Sequence, residues 1–178
     1  MNNPANVPLV LIGMMGSGKT TCGRILAQLL GRQFIDLDEQ VERCSQMTIS
    51  RLLTTRGETG LREFETLALR QALKHRHSVI ASGGGVILRC QNRRLLTDSG
   101  FVIFLRTSVT ELARRLATEQ KVRPLLDGSR AVVDQLVLLA NQRNALYLAV
   151  SDLIVSTDTR STAATAAVIQ QKLEECVV

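Results

Sequence analysis

Aromatic residues, long apolar runs and clustered cysteines are all scarce in this chain of 178 residues. Aromatic side chains make up 3% of it, with one tyrosine and no tryptophan, so the stacking platforms that bind single-stranded nucleic acids are few. No apolar run approaches the ~20 residues that span a bilayer, and the N-terminus lacks the basic and apolar regions of a signal peptide. We therefore expect no membrane as a partner, and the scarcity of aromatics argues against a nucleic acid, although composition alone does not choose between a nucleic acid and a small anion.

The four cysteines lie far apart, without a C-x-x-C pair and without paired histidines nearby. This spread predicts reduced thiols in a cytoplasmic protein rather than a zinc site or a disulfide framework. The net charge of +6 calls for an anionic partner, and a small polyanionic ligand fits it at least as well as nucleic acid does. We expect a monomer.

Short β-branched apolar runs alternate with longer stretches of helical period along the whole chain. The apolar runs predict strands at 8–13, 33–37, 78–82, 101–105 and 152–156. The periodic stretches predict helices at about 18–31, 39–56 with a break near Gln46, 61–76, 90–99, 108–118, 130–149 and 161–175. Mostly apolar strands are typical of a parallel sheet covered on both faces. We therefore predict a single domain over residues 1–178, an α/β fold of three αβα layers around a five-stranded parallel sheet.

The segment GMMGSGKT at 13–20 matches G-x-x-x-x-G-K-[ST] at every fixed position. Its glycines let the backbone wrap around phosphate oxygens, while Lys19 can reach the β- and γ-phosphates and the Thr20 hydroxyl can bind Mg²⁺. An apolar strand precedes the segment and an amphipathic helix follows it, so we interpret it as a phosphate-binding P-loop rather than a chance turn. The base-specifying N-K-x-D of GTPases is absent from the sequence.

Two carboxylates, Asp36 and Asp38, end the second predicted strand. Residues i and i+2 of a strand project to the same face, so one carboxylate could support Mg²⁺ through its waters while the other faces a second substrate. Alternatively, Asp38 could be the N-cap of the following helix. A glycine triplet, Gly83 to Gly85, follows the third predicted strand, and ligands of open α/β sheets bind beyond such strand ends.

Six motifs in this order and spacing resemble the shikimate kinase family over nearly the full length of the chain. They are GMMGSGKTT (13–21), FIDLD (34–38), LREFE (61–65), SGGGV (82–86), VRPLL (122–126) and R-x-x-L-Y (143–147). The resemblance implies a P-loop kinase fold with a mobile lid at about 119–130. It also implies that ATP, with Mg²⁺, phosphorylates the 3-hydroxyl of shikimate.

The resemblance further implies a role for each matching residue. The catalytic residues would be Lys19, Asp38 and Arg123. Shikimate would be bound by Asp38, Arg62, Gly83, Gly84, Gly85 and Arg143. The nucleotide would be bound by Gly16, Ser17, Gly18, Lys19, Thr20, Thr21, Arg123 and Arg160. The metal would be held by Thr20 directly and by Asp36 through water.

Some alternatives stay open on the residues alone. Arg62 and Glu65, three positions apart, could orient a binding guanidinium or form an exposed ion pair of little consequence, which spacing alone favours. Arg143 lies on an apolar stripe, where it could meet an anionic substrate or a structural carboxylate. Ala145 stands where the family often has proline, and neither Arg114 nor Arg115 maps cleanly onto an ATP contact.

Two other functions also remain at this stage. The acceptor could be gluconate or a nucleoside monophosphate, or the protein could bind nucleotides or nucleic acid without catalysis.

Overall fold

A computed structural model of the protein describes residues 2–118 and 131–176. Five short strands form one parallel sheet in the order β2-β3-β1-β4-β5. The strands are β1 (Leu9–Ile12), β2 (Gln33–Asp36), β3 (Ser78–Ala81), β4 (Phe101–Arg106) and β5 (Leu153–Ser156). The predicted five-stranded parallel sheet is confirmed, with each strand at its predicted place in the sequence.

Helices connect the strands and cover both faces of the sheet. They are α1 (Lys19–Leu29), α2 (Leu37–Ser45), α3 (Ile49–Ala72), α4 (Cys90–Ser99), α5 (Val109–Thr118), α6 (Val132–Val150) and α7 (Thr162–Glu175). A short 3₁₀ turn, Val86–Leu88, precedes α4. The predicted break near Gln46 is confirmed, because this residue ends α2 in the left-handed conformation with φ 55°.

Alternate residues of the central strand β1 face opposite sides of the sheet. Leu9 and Leu11 belong to an apolar cluster with α1 and α7, whereas Val10 and Ile12 belong to a second cluster with α2 to α6. All four side chains are fully buried, which stabilises the fold by about 1.5–3 kcal/mol for each. The two clusters make the predicted three layers and leave the carboxyl ends of the strands at one edge.

Helix α3 contains a sharp break that the sequence pattern does not place correctly. Gly57 has φ 65° and ψ −174°, a backbone conformation open essentially to glycine alone, so two helical segments meet at this residue. We predicted that the second segment starts at 61, and this is wrong because it resumes directly after Gly57. The polar residues 58–60 hide its first turn, since they carry no apolar period.

The predicted lid at 119–130, with Arg123, lies outside the described residues. No helix within 2–118 or 131–176 is both long and apolar enough to cross a membrane.

Candidate active site

The P-loop follows β1 at the centre of the sheet and wraps around the amino group of Lys19. This Nζ donates hydrogen bonds to the backbone oxygens of Gly13 at 3.0 Å and Met14 at 2.8 Å, and the residue is only 9% exposed. Helix α1 begins at Lys19, and the preceding Gly18 contributes no capping side chain. The first N–H groups of α1 and its positive dipole end therefore point into the loop, as phosphate binding requires.

A hydroxyl and a carboxylate meet beside the P-loop. The Thr20 Oγ1 donates to Asp36 Oδ2 at 2.9 Å. The described residues contain no cluster of three His, Cys, Asp or Glu side chains that could hold a metal. Mg²⁺ in phosphate sites takes one or two protein oxygens and fills the rest of its octahedron with phosphate and water. The Thr20–Asp36 pair fits that requirement.

The two predicted carboxylates lie on different elements. Strand β2 ends at Asp36, whose Oδ1 accepts from the backbone N–H of Asp38 at 3.0 Å and so caps α2. Asp38 belongs to the first turn of α2, so the expectation that both residues share a strand face is wrong. The N-cap alternative for Asp38 is also wrong, because Asp36 has that place.

A cleft of about 120 Å³ next to the P-loop collects the predicted substrate residues. Its polar lining consists of Asp38, Arg62, Glu65, Gly83, Gly84, Gly85 and Arg143. Four apolar side chains, none of which was predicted as a site residue, complete the wall: Met15, Ile49, Leu53 and Leu61. In the sequence, such residues cannot be told from ordinary core positions. One face of each side chain is exposed to the cleft only because of the way the chain folds around it.

Arg62 is buried in a network of two carboxylates. Its Nη1 lies 2.8 and 2.7 Å from the two oxygens of Glu65, and its Nη2 lies 2.7 Å from Glu58 Oε1. Both Arg62 and Glu65 are 7% exposed, so the interpretation as an exposed ion pair is wrong. The physical reason is the glycine triplet. A Cβ on Gly85 would lie 2.1 Å from Arg62 Nη1, so only a bare backbone can cover the guanidinium so closely.

Burial and charge oppose each other in this network. Burial raises the pKa of Glu65 above its ordinary value. The positive charges of Arg62 and Arg143 lower this pKa, and the negative charge of Asp38 raises it further. Burial alone would lower the pKa of Arg62, but Glu65 and Glu58 outweigh it and the pKa is raised. The guanidinium therefore stays charged at the bottom of the cleft.

Arg143 and Tyr147, one turn apart on α6, meet at the carbonyl of Gly84. The Tyr147 hydroxyl donates to this oxygen at 2.6 Å, and Arg143 Nη1 donates to it at 3.4 Å. The tyrosine ring stacks on Phe104 with centroids 5.0 Å apart. Burial raises the pKa of the Tyr147 phenol, so it remains a donor.

Arg143 forms no ion pair within the described part of the chain, and Glu65, the buried carboxylate whose pKa it lowers, is already paired with Arg62. Its Nε is buried without a hydrogen-bond partner, and the residue is 3% exposed. Helix α6 continues through Ala145 without a break, as expected without the proline. A buried guanidinium with spare donors at the wall of a cleft is suited to an anionic ligand.

Arg115, which was not predicted as a site residue, connects the P-loop to the loop after β5. Its Nη2 donates to the Thr157 oxygen at 2.6 Å, and its Nη1 lies 3.4 Å from the Gly16 oxygen. Arg160 lies on that same loop and donates to the Ser156 oxygen at 3.0 Å.

Arg114, the neighbour of Arg115 in the sequence, is exposed and pairs only with Glu111 among the described residues. A helical projection of α5 would have distinguished Arg115 from Arg114, because Arg115 lies at i+3 from the buried Leu112 and so on the same face of the helix.

These features define an ATP-dependent P-loop kinase that acts on a small molecule. Residues 15–174 match the family model for shikimate kinase. The chain is 42% identical over 156 residues to a shikimate kinase of Bordetella avium, covering 86% of this chain and 73% of that protein. It is 40% identical over 172 residues to one of Nitrosomonas europaea, covering 97% and 80%.

The solved structure of a shikimate kinase from Acinetobacter baumannii in complex with shikimate has the same fold. The TM-score is 0.90 at 35% identity, covering 97% of this chain and 95% of that one. The chain belongs to the shikimate kinase family, whose cofactors are ATP and Mg²⁺.

Proposed function

We propose that this protein transfers the γ-phosphoryl group of ATP to the 3-hydroxyl of shikimate, giving shikimate 3-phosphate and ADP in aromatic amino-acid biosynthesis. Family membership supports the reaction. The observation that carries the residue roles is the cleft itself, where Arg62 and Arg143 lie at the wall of a small, partly apolar space beside the P-loop.

The acceptor side is built for a ring that carries a carboxylate and hydroxyls. Arg62 and Arg143 would bind the carboxylate, since guanidinium groups form short, charge-assisted hydrogen bonds to carboxylates in fixed geometry. The apolar side chains of the cleft would pack against the ring. Asp38 would accept a hydrogen bond from a shikimate hydroxyl and position it for attack. The backbone of Gly83, Gly84 and Gly85 would close the other side.

The phosphate side would rearrange little. Lys19 would exchange the carbonyl oxygens of Gly13 and Met14 for phosphate oxygens, and the backbone of Gly16, Ser17, Gly18 and Thr21 would surround the phosphates. Thr20 and Asp36 would hold Mg²⁺, which when bound neutralises charge on the phosphates. Catalysis of phosphoryl transfer depends mainly on such positioning and charge stabilisation, so Asp38 need not be a strong base.

Two further residues complete the nucleotide side of the proposal. Arg123 would contact the transferred phosphoryl group from a lid at 119–130, which would close over the cleft and exclude water. Arg160 would lie near the adenine, and the contacts of Arg115 to Gly16 and Thr157 support that placement of the nucleotide. We also propose that the protein works as a monomer in the cytoplasm and binds no nucleic acid.

The test is ATP consumption by the purified protein with and without shikimate. We expect ADP release to depend on shikimate and Mg²⁺, and we expect gluconate and nucleoside monophosphates to give no comparable stimulation. The product should be phosphorylated at the 3-hydroxyl, which phosphorus NMR would identify. Equal stimulation by gluconate would contradict the proposed acceptor. Sedimentation at micromolar concentration would test the monomer.

A further inference from the structure

The guanidinium of Arg62 already has two carboxylate partners from its own chain. Glu65 takes Nη1 and Glu58 takes Nη2, both at 2.7 Å. A substrate carboxylate that also approached Nη2 would be the third anion around one cation. Arg143 lines the same cleft and offsets one of these negative charges, but two cations then still face three anions. Because like charges at contact distance repel strongly in a poorly solvated cleft, one of the three anions has to leave.

Glu58 and Glu65 differ greatly in how easily they could leave. The side chain of Glu65 is 9% exposed and that of Glu58 is 60% exposed. Moving Glu65 would break its contact to Arg62 inside the buried network, whereas Glu58 needs only a rotation of its side chain into water. The exposed partner is therefore the one that can be exchanged.

The backbone around Glu58 favours this exchange. Gly57 interrupts α3, so Glu58 stands in the first turn of the helical segment that follows. A carboxylate at a helix N-terminus is stabilised by the helix dipole whether or not it contacts Arg62. The released side chain thus keeps a favourable environment, which lowers the cost of release.

We propose that Glu58 occupies the place of the substrate carboxylate on Arg62 in the free protein and is displaced when substrate binds. Glu58 then sets the affinity for substrate by competing with it, and it is neither a catalytic residue nor a support for Arg62. This inference rests on the proposed function, because it requires a substrate with a carboxylate.

The variant that tests it is Glu58→Gln, which keeps the shape of the side chain but removes the charge that competes. Calorimetric titration of the full-length protein with shikimate should show a Kd about three- to tenfold lower than in the wild type, the range between an exposed ion pair and a charge-assisted contact to a buried group. Glu58→Ala should bind shikimate at least as tightly as Glu58→Gln. A thermal melt of each variant confirms that it is folded.

Glu63→Gln is the matched control, since Glu63 is an exposed carboxylate on the same helical segment. It should change the shikimate Kd by less than about twofold, which separates competition at Arg62 from a general change in charge. Shikimate methyl ester, which has no negative charge, should bind the wild type and Glu58→Gln equally.

Unchanged or weaker shikimate binding by Glu58→Gln, with normal binding by the wild type, would overturn the inference and make Glu58 a support for Arg62. Absence of shikimate binding by the folded wild type would overturn the proposed function as well.

Discussion

The phosphate side and the acceptor side of the candidate site are assembled in opposite ways. The phosphate side comes almost entirely from one stretch of eight residues, 13–20, with Asp36 as the neighbour of Thr20. The acceptor side combines α2, α3, the loop after β3 and α6, which are separated by long stretches of chain. The geometry of the phosphate side is determined by the backbone of one local motif. The geometry of the acceptor side depends on how elements distant in sequence pack against each other.

Lys19→Met gives the largest expected effect and tests the local side. Loss of a charge aimed at the phosphates should lower kcat by at least about 10²–10³-fold. Because Lys19 is buried and donates to Gly13 and Met14, the variant should also lose roughly 1–3 kcal/mol of stability. Coupled-assay kinetics and a denaturant melt measure both effects.

Lys74→Met is the control for that substitution, since Lys74 is an exposed lysine just after the end of α3. It should leave kcat and stability near the wild-type values. A folded Lys19→Met protein with normal turnover would remove Lys19 from the proposed mechanism.

Arg143→Lys tests the assembled side. Lysine cannot reproduce the planar fork of a guanidinium, and we expect shikimate affinity to fall by ~2–4 kcal/mol, the range for breaking a desolvated charge pair. ATP affinity and melting temperature should move little. The measurements are calorimetric titrations with shikimate and with ATP, and a thermal melt of the same sample. The control is Arg70→Lys, because Arg70 is an exposed arginine. If the melting temperature collapses while shikimate affinity survives, Arg143 is structural.

Gly57→Ala tests whether the break in α3 places the acceptor residues. The strained backbone should cost about 1–3 kcal/mol of stability and weaken shikimate binding, because Arg62 lies on the helical segment that follows the break. Gly31→Ala is the control, since Gly31 also has a positive φ of 63° and open space around it, but lies at the end of α1. It should lose stability without losing shikimate affinity. Equal losses of shikimate affinity in both variants would mean that the break in α3 does not position the acceptor residues.

The same contrast explains what the sequence could predict. The P-loop, the five strands and the order of the helices follow from local patterns of glycine and apolar period, so they were predictable. The burial of Arg62 was not, because it depends on the backbone of Gly85, which approaches from the loop after β3. Arg115 was missed for a similar reason, since its partners Gly16 and Thr157 lie far from it in the chain.

Tyr147→Phe gives the smallest expected effect and tests the contact between the phosphate side and the acceptor side of the site. The Tyr147 hydroxyl holds the carbonyl of Gly84, and a Cβ on Gly84 would lie 3.5 Å from the Gly13 oxygen, so the triplet packs directly on the P-loop. Phenylalanine keeps the stack on Phe104 but removes the hydrogen bond.

We expect Tyr147→Phe to cost about 0.5–1.5 kcal/mol, the net worth of one hydrogen bond. Since Gly84 lines the cleft, part of that loss should appear as a higher KM for shikimate, with the KM for ATP unchanged. Steady-state kinetics with each substrate varied in turn measure the two constants. A rise in the KM for ATP alone would mean that Tyr147 supports the P-loop rather than the glycine triplet. In that case the two sides of the site would be coupled through the backbone of Gly13.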